Sequence, residues 1–246
     1  MDLRKYFAVT HRDHLICNPL SAAKVDEMVD LLRLPRGARV LDIACGKAEA
    51  LVRIAERYDV TGVGIELSPD FARDARAKVA ERLPGRQIEI VEGDGAQYTG
   101  EPGSFDLAMC LGASWIFEGH RGTLRALARF ARPGALVATG EPFWHRPPPR
   151  EYVAAGGEEA AMFGTHAGNV TAGIEEGLTP LCTFVSNQDD WDRYQGLQWQ
   201  AAERWAFEHA ADPDAPELIE RHRRARDLYL WWERDLLGWA IYLFRR

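Results

Sequence analysis

The 246-residue sequence contains no long hydrophobic run and no targeting segment. No stretch approaches the roughly 20 consecutive apolar residues of a membrane-spanning helix. The opening residues, Met-Asp-Leu-Arg-Lys, lead into no apolar segment of signal-peptide length. We therefore expect a cytoplasmic protein with no membrane partner.

Cysteine is scarce and does not form a pattern. The four cysteines, Cys17, Cys45, Cys110 and Cys182, are widely separated, and no Cys-x-x-Cys pair occurs. Disulfide-stabilised domains are rich in cysteine for their length, and zinc sites use closely spaced cysteine pairs. The spacing therefore argues against either, and we expect no metal site.

Positive charge is also in short supply. The chain has 30 Lys and Arg against 37 Asp and Glu, a formal net charge of −7. Proteins that bind nucleic acid neutralise phosphates with basic side chains, so this balance argues against DNA or RNA as a partner. Hydrophobic residues make up 46% and charged residues 27%, as is ordinary for a globular enzyme with one large α/β domain.

Short apolar runs alternate with helical patterns between about residues 20 and 140. The runs predict strands at residues 39–43, 60–65, 87–91, 105–111 and 135–140. Helical spacing of apolar residues occupies residues 21–34, 48–58, 69–83 and 122–131. This alternation predicts βαβ units and a parallel sheet covered on both faces.

The second half of the chain is less regular. Residues 141–150 contain four prolines, which indicates an irregular excursion at the edge of the sheet. A strand at 181–186, helices at 190–210 and 217–236, and a final strand at 239–244 are predicted beyond it.

The strongest local signal is Val-Leu-Asp-Ile-Ala-Cys-Gly-Lys-Ala-Glu at residues 40–49. A strand enters a turn of small residues and a helix follows at once, which lets a ligand approach free backbone N–H groups. Glu66 lies twenty residues after Gly46, at the end of the second predicted strand, where an acid can accept both ribose hydroxyls of an adenosine. Asp94 follows the third strand. Acids at three successive strand ends, Asp42 included, suit a cationic adenosine-bearing ligand better than a pyrophosphate.

These residues resemble the class I S-adenosylmethionine (SAM) dependent methyltransferases, whose first motif is Asp-x-Gly-x-Gly-x-Gly. The resemblance implies SAM as cofactor, S-adenosylhomocysteine (SAH) as product, and methyl transfer to a small-molecule acceptor through O, N or S. It assigns cofactor contacts to the first motif, the following strand ends and the N-terminal segment. These residues are Asp42, Ala44, Cys45, Gly46, Glu66, Leu67, Asp94, Gly95, Ala96, Cys110, Leu111 and Asn18.

The resemblance also implies the fold. We expect a doubly wound, mostly parallel sheet of seven strands whose last strand is antiparallel. Within a single domain, residues 1–20 would form a lid, 21–140 the cofactor-binding core, 141–180 an acceptor-site insertion or cap after strand five, and 181–246 the sheet edge and C-terminal helices. The chain would act as a monomer or homodimer.

The first motif departs from the family pattern at three positions. Ala44 and Ala48 replace the first and third glycines, which alanine tolerates where φ is negative, and we expect that here. Lys47 is unusual in this loop and is expected to point to solvent.

Several alternatives remain open. Glu66 could be a solvated strand end and Asp94 a helix N-cap. A dinucleotide oxidoreductase is disfavoured because no Gly-x-Gly-x-x-Gly follows the first strand. A nucleic-acid amino-methyltransferase is disfavoured because Leu-Gly-Ala-Ser-Trp at residues 111–115 stands where those enzymes carry Asn- or Asp-Pro-Pro-Tyr. The remaining alternative is a SAM-binding protein without methyltransferase activity, or one that uses SAM for another reaction.

Acceptor-site residues are expected in the aromatic-rich segments outside the core. Glu141 and His145, directly after the fifth predicted strand, are the leading acid/base candidates, followed by His166, His14 and Asp190. An acceptor that is already a good nucleophile needs no base. The predicted substrate-binding residues are Trp115, Phe143, Trp144, His166, Trp191 and Tyr194.

The net charge and the missing Pro-Pro-Tyr element together predict that nucleic acid is not the substrate. A filter-binding assay at low salt should find no tight, salt-sensitive binding of DNA or RNA. Binding that weakens steeply with added salt would contradict this prediction.

Overall fold

Seven strands form one sheet in the computed structural model, which describes residues 1–246. The strands are β1 (Ala38–Ile43), β2 (Val60–Glu66), β3 (Ile88–Glu92), β4 (Phe105–Leu111), β5 (Ala131–Trp144), β6 (Thr179–Val185) and β7 (Leu237–Arg245). Their order across the sheet is β3-β2-β1-β4-β5-β7-β6. All neighbours are parallel except β7, which is antiparallel to both β5 and β6. The predicted seven-stranded, mostly parallel sheet is confirmed.

Helices cover both faces of this sheet. They are α1 (Leu3–Thr10), α2 (Ala22–Leu32), α3 (Glu49–Arg57), α4 (Pro69–Arg82), α5 (His120–Phe130), α6 (Arg150–Ala154), α7 (His166–Glu175), α8 (Gln188–Glu208), α9 (Ala215–Leu228) and α10 (Arg234–Leu236). Short 3₁₀ turns occupy Gly95–Gln97 and Ser114–Phe117, and a π-helical turn at Tyr229–Glu233 joins α9 to α10. No helix is both long enough and apolar enough to cross a membrane.

Alternate residues of the central strands supply two separate hydrophobic cores. On one face, Val40 of β1 and Met109 of β4 pack with α2 and α3. On the other face, Leu41 and Ala108 pack with α5. Burial on both faces explains why these strands read as short apolar runs rather than as alternating patterns.

Helices α2 and α4 begin where the sequence predicts because their caps are local. The Ser21 hydroxyl accepts a hydrogen bond from the Lys24 N–H at the start of α2. Ser68 caps α4 in the same way, and Pro69 occupies the first turn, where its missing N–H costs no hydrogen bond.

Strand β5 extends through the proline-containing segment as far as Trp144. Residues 141–144 pair with β7 but no longer with β4, which has already ended at Leu111, and Trp144 also forms a bridge to Thr165. The Pro142 carbonyl accepts a hydrogen bond from the Asn169 side chain at 3.3 Å. The backbone nitrogen and carbonyl of Pro142 therefore point away from β7. A proline here interrupts no ladder, and the predicted excursion from residue 141 is wrong for its first four residues.

Three helices, α1, α6 and α7, were not predicted from the sequence. Helix α1 packs Tyr6 and Val9 against Trp205 of α8 and lies over the carboxyl edge of the sheet. Helix α7 lies in the segment after β5 and contacts α5, β6 and β7. The insertion therefore packs beside the sheet rather than over the cavity described below.

The turn after β1 has an unexpected backbone conformation. Ala44, Gly46 and Ala48 have φ of 56°, 57° and 57°, so the expectation of negative φ at the two alanines is wrong. A left-handed conformation costs a residue with a Cβ roughly 1–2 kcal/mol. Two hydrogen bonds hold the strained turn against β2: Gly46 N–H to the Glu66 carboxylate at 2.8 Å and Cys45 N–H to the Ile65 carbonyl at 3.0 Å.

This geometry predicts that glycine is tolerated at a turn alanine but not at a helical one. Ala44→Gly should leave the free energy of unfolding unchanged or raise it by up to about 1 kcal/mol, since relief of strain offsets the greater freedom of the unfolded chain. Ala77→Gly, in the exposed interior of α4, is the matched control and should lower it by about 1 kcal/mol. Urea unfolding measures both. An equal loss in the two variants would contradict the prediction.

Candidate active site

A cavity of about 430 Å³ opens at the carboxyl ends of β1, β2 and β4. Its size is that of a small-ligand site, and its place is the crevice where the strand order reverses in doubly wound sheets. The turn after β1 and the ends of β2 and β4 form the inner wall. Helix α1, the segment 15–18 and Tyr194 of α8 form the cover.

Asp42 is a buried carboxylate beside this cavity, at 2% exposure. Its burial and, less strongly, the nearby Glu66 raise its pKa well above the ordinary value, and no cation of the protein opposes the shift. A ligand ammonium group would supply the missing opposite charge. Asp42 therefore fits the amino group of a bound cofactor.

Glu66 lies in the inner wall and organises the turn. Its Oε2 atom accepts the Gly46 N–H and its Oε1 atom accepts the Ser68 N–H, each at 2.8 Å. Burial raises its pKa, while these backbone hydrogen bonds act in the opposite direction. Each carboxylate oxygen keeps a further lone pair, so Glu66 can still accept ribose hydroxyls. At 8% exposure it is not a solvated strand end.

Asp94 is both the N-cap of a turn and a residue of the cavity wall. Its Oδ1 atom accepts the Ala96 N–H at 2.9 Å and caps the turn Gly95–Gln97, so it is an N-cap. It also lines the cavity, as do Gly95 and Leu67. Ala96 is exposed and does not line the cavity.

The segment after β4 forms the far side of the inner wall. Leu111 and Gly112 line the cavity, but Cys110 is buried in the core and does not, which corrects its predicted contact with the cofactor. Burial raises the pKa of the Cys110 thiol. Gly112 has φ of 96°, and a Cβ there would lie 2.5 Å from the Asn18 Oδ1 atom. Only glycine lets Asn18 approach this closely from the cover.

Lys47 does not point to solvent, contrary to the prediction. It is 8% exposed, and its Nζ atom donates to the carbonyls of His11, Arg12 and His14 at 2.8, 2.9 and 3.3 Å. Burial is the main reason why its pKa is lowered. Because Lys47 belongs to the first motif, it ties the end of α1 directly to the strained turn.

The mouth of the cavity is mostly apolar, and the one exposed cation that lines it, Arg4, forms an ion pair with Asp2. The apolar side chains of the mouth come from α1, the segment after it, the end of β2 and the turn after β4, and all are exposed. They are Leu3, Phe7, Leu15, Leu67 and Trp115. A cluster of exposed large apolar side chains around one opening is typical of a ligand-binding surface.

Tyr194 reaches the cavity from α8 and forms a hydrogen bond with a histidine that the sequence analysis did not single out. The Tyr194 hydroxyl lies 2.8 Å from the His11 Nε2 atom, and both residues line the cavity. Burial, the nearby His14 and Lys47 lower the pKa of His11 to about 3, with the Phe7 carbonyl opposing them. His11 ends an unpredicted helix and belongs to no motif, so no sequence signal identifies it.

Glu141 and His145, the predicted acid/base residues, do not line this cavity. Glu141 is 3% exposed; burial raises its pKa, and the nearby Ser114 side chain opposes that rise. His145 is exposed, with its ring 5.0 Å from that of Phe143. Both positions follow from one fact: β5 continues past the end of β4 and carries its last residues away from the cavity.

Only two of the six predicted substrate-binding residues, Trp115 and Tyr194, line the cavity. The other four pack elsewhere: Phe143 edge-on against His166, Trp144 against Tyr152, His166 also against Tyr242, and Trp191 stacked on Tyr229. These four side chains pack against other aromatic residues and do not line the cavity.

The two remaining acid/base candidates are engaged in structural contacts. The His14 Nε2 atom donates to the Tyr194 carbonyl at 2.9 Å. Asp190 completes a capping box with Asn187 at the start of α8 and forms an ion pair with Lys24. Neither of them lines the cavity.

Comparison with known proteins agrees with this geometry. Residues 40–134 match a family model described as a methyltransferase domain. The chain is 30% identical to the uncharacterized protein YjhP of Escherichia coli K12 over 98% of both chains. It is also similar to a SAM-dependent methyltransferase from Thiobacillus denitrificans, solved in complex with SAH, with 30% identity and a TM-score of 0.91 over all of both chains. The chain belongs to the class I SAM-dependent methyltransferase family.

Two further structures agree with the assignment of this methyltransferase. A SAM-dependent methyltransferase from Geobacter sulfurreducens in complex with SAH is 28% identical over 98% of both chains, with a TM-score of 0.91. The X-ray structure of YjhP is 29% identical over 98% of this chain and 100% of that one, with a TM-score of 0.92. The cofactor of this enzyme is therefore SAM.

The raised pKa of Glu141 leads us to predict that the stability of the methyltransferase depends on pH. Burial raises its pKa from an ordinary 4.5 to about 7, so between these values the folded chain keeps a proton that the unfolded chain releases. The free energy of unfolding is therefore not reduced by Glu141 below about pH 4.5, and it falls as pH rises from there toward 7, because the unfolded chain loses this proton more readily. Glu141→Gln mimics the protonated side chain and should remove that fall.

The measurement is urea unfolding at pH 5 and pH 8. Relative to wild type, Glu141→Gln should gain up to about 3 kcal/mol more at pH 8 than at pH 5. Glu81→Gln, an exposed position on α4, is the control and should follow wild type at both pH values. Parallel behaviour of Glu141→Gln and wild type would show that Glu141 does not retain its proton in the folded state.

Proposed function

We propose that this methyltransferase transfers the methyl group of SAM to a small, largely apolar molecule that enters at the mouth of the cavity. The observation that carries the proposal is the division of the cavity into an acidic inner wall and a mostly apolar mouth. An acidic wall fits a cationic cofactor, and an apolar mouth fits an acceptor that gives up hydrated surface on binding.

The inner wall would hold the cofactor in a defined orientation. Asp42 would pair with the ammonium group, the turn Ala44–Gly46 would approach the amino-acid portion, and Glu66 would accept the ribose hydroxyls. Asp94, Gly95 and Leu67 would surround the adenine. When bound, SAM supplies a methyl group on a sulfonium sulfur, the electrophile of the reaction.

The mouth favours a small acceptor over a macromolecule. Helix α1 covers the cavity, and hydrogen bonds from Lys47 to the carbonyls of His11 and Arg12 hold its C-terminal end in place. The remaining opening is bordered by Phe7, Leu67 and Trp115. The net charge of −7 gives no general attraction for nucleic acid. The acceptor atom, O, N or S, is left open by this argument.

We propose that positioning contributes more to the reaction than proton removal. The histidine that lines the cavity, His11, is a weak base because its pKa is about 3, and Glu141 and His145 lie outside the cavity wall. An acceptor that is nucleophilic without a protein base fits this site best. Holding the two reactants in contact in a dry cavity can by itself provide several kcal/mol of rate enhancement, about 7–11 in favourable cases.

The whole chain would act as one domain with four parts. Residues 1–20 would serve as the lid and residues 21–140 as the cofactor core. Residues 141–180 would support the sheet from the side of α5 rather than form the acceptor site, and residues 181–246 would supply both the sheet edge and Tyr194.

The test combines cofactor binding with turnover. Wild-type enzyme with SAM should release SAH in the presence of some members of a panel of apolar amines, phenols and thiols, and not with tRNA, DNA or protein. Glu66→Ala should weaken SAH binding about 10- to 100-fold in titration calorimetry, equivalent to about 1.5–3 kcal/mol for hydrogen bonds to a charged group.

The matched control is Glu92→Ala, at the end of the neighbouring strand β3 and outside the cavity wall, which should bind SAH like wild type. Melting temperatures with and without SAH separate a binding loss from unfolding, since Glu66 also holds the Gly46 N–H. Turnover on nucleic acid or protein alone would refute the small-molecule proposal. Unchanged SAH affinity in Glu66→Ala would refute the orientation proposed for the cofactor.

A further inference from the structure

We propose that Tyr194 is a cofactor-binding residue supplied by the C-terminal half of the chain. Its hydroxyl oxygen, with its own proton committed to His11, accepts a hydrogen bond from an N–H or O–H donor of bound SAM or SAH. The proposal rests on the cofactor, not on the identity of the acceptor molecule.

The proton positions in this pair follow from the partners of the imidazole. The His11 Nδ1 atom lies 3.2 Å from the Phe7 carbonyl, and a carbonyl can only accept, so Nδ1 carries the proton. The Thr10 hydroxyl donates its own proton to the Tyr6 carbonyl at 3.0 Å. Its oxygen, 3.0 Å from the His11 Nδ1 atom, can therefore also accept a hydrogen bond from the Nδ1–H group. The Nε2 atom is therefore unprotonated and accepts from the Tyr194 hydroxyl at 2.8 Å.

This arrangement fixes what Tyr194 presents to a ligand. Its single hydroxyl proton points to His11, so only oxygen lone pairs remain for other partners, and the side chain of Gln198 lies beside one of them. Burial lowers the pKa of His11 and raises the pKa of Tyr194, so neither group changes its charge near neutral pH. The cavity wall thus carries a neutral hydrogen-bond acceptor of fixed direction.

The position of the pair points to the cofactor rather than to the acceptor. The His11 ring packs edge-on against Phe71, 6.4 Å away, in the first turn of the helix that follows Glu66. The His11 carbonyl accepts a hydrogen bond from Lys47, the residue directly after Gly46. The pair therefore lies above the turn and the ribose-binding acid, between the ammonium and ribose ends of the proposed cofactor.

Lys47 is a positioning residue for this pair. Its three hydrogen bonds to carbonyls at the end of α1 set the place of His11, which in turn orients the Tyr194 hydroxyl. The unusual lysine in the first motif thereby connects the turn that holds the cofactor with the lid that covers it.

The experiment is titration calorimetry of the full chain with two probes, SAH and 5′-methylthioadenosine, which lacks the amino-acid portion. Tyr194→Phe removes only the oxygen and should weaken SAH binding about tenfold, the size expected for one hydrogen bond. An equal loss with both probes would assign the donor to the adenosine portion that they share. A loss with SAH alone would assign it to the ammonium group. Unchanged binding of both probes would overturn the proposal.

The control is Tyr229→Phe, which removes a hydroxyl that bonds to Asp192 at 2.6 Å, away from the cavity. It should bind both probes like wild type. His11→Leu keeps Tyr194 but frees its proton to turn into the cavity, so it should also weaken SAH binding about tenfold. This second variant tests the proposal if Tyr194→Phe does not fold, and wild-type affinity in it would count against the proposal.

Two readouts separate orientation from general stability. Nitrogen-15 NMR of wild type should show His11 with its proton on Nδ1, and the opposite tautomer would overturn the proposal. Lys47→Met should raise hydrogen–deuterium exchange in residues 1–14 and weaken SAH binding while α5 exchanges as in wild type. Wild-type exchange and affinity in Lys47→Met would refute its positioning role.

Discussion

The hydrogen bond from the Gly46 N–H to the Glu66 carboxylate is the interaction on which the site depends. It holds a turn in which two alanines adopt left-handed backbone conformations. The same carboxylate accepts the Ser68 N–H at the start of α4, so one side chain joins the first motif, the end of β2 and the next helix. The acid that we propose as the acceptor of the ribose hydroxyls is therefore part of the support for the turn beside it.

The N-terminal segment that we propose as the lid is attached to this turn by hydrogen bonds of a charged side chain as well as by apolar packing. Lys47 lies in the turn and donates to carbonyls at the end of α1, and the His11 ring continues the connection to Tyr194. A buried ammonium is costly unless its hydrogen bonds are satisfied, and the three carbonyls satisfy them here. The position of the lid and the shape of the turn are thus coupled through one residue.

Glu141 and its neighbours show how sheet geometry separates residues that are close in sequence. Residues 141–144 continue β5 beyond the end of β4 and pair with β7, and none of them lines the cavity. Phe143 packs in the core on the α5 side, and Trp144 packs with Tyr152. Glu141 is buried with an unpartnered Oε2 atom, which makes it a source of pH-dependent stability.

The sequence by itself determined the sheet, the position of the first motif and the strand-end acids Asp42, Glu66 and Asp94. These features are local: short apolar runs, serine caps and an acid at a fixed distance after a turn. It could not place Lys47, His11 or the end of β5, because a lysine and a histidine look the same in a sequence whether they are buried or exposed. Their burial depends on α1 packing against α8, nearly 200 residues away along the chain. Only the tertiary structure decided which side chains cover the cofactor cavity, because that contact joins the two ends of the chain.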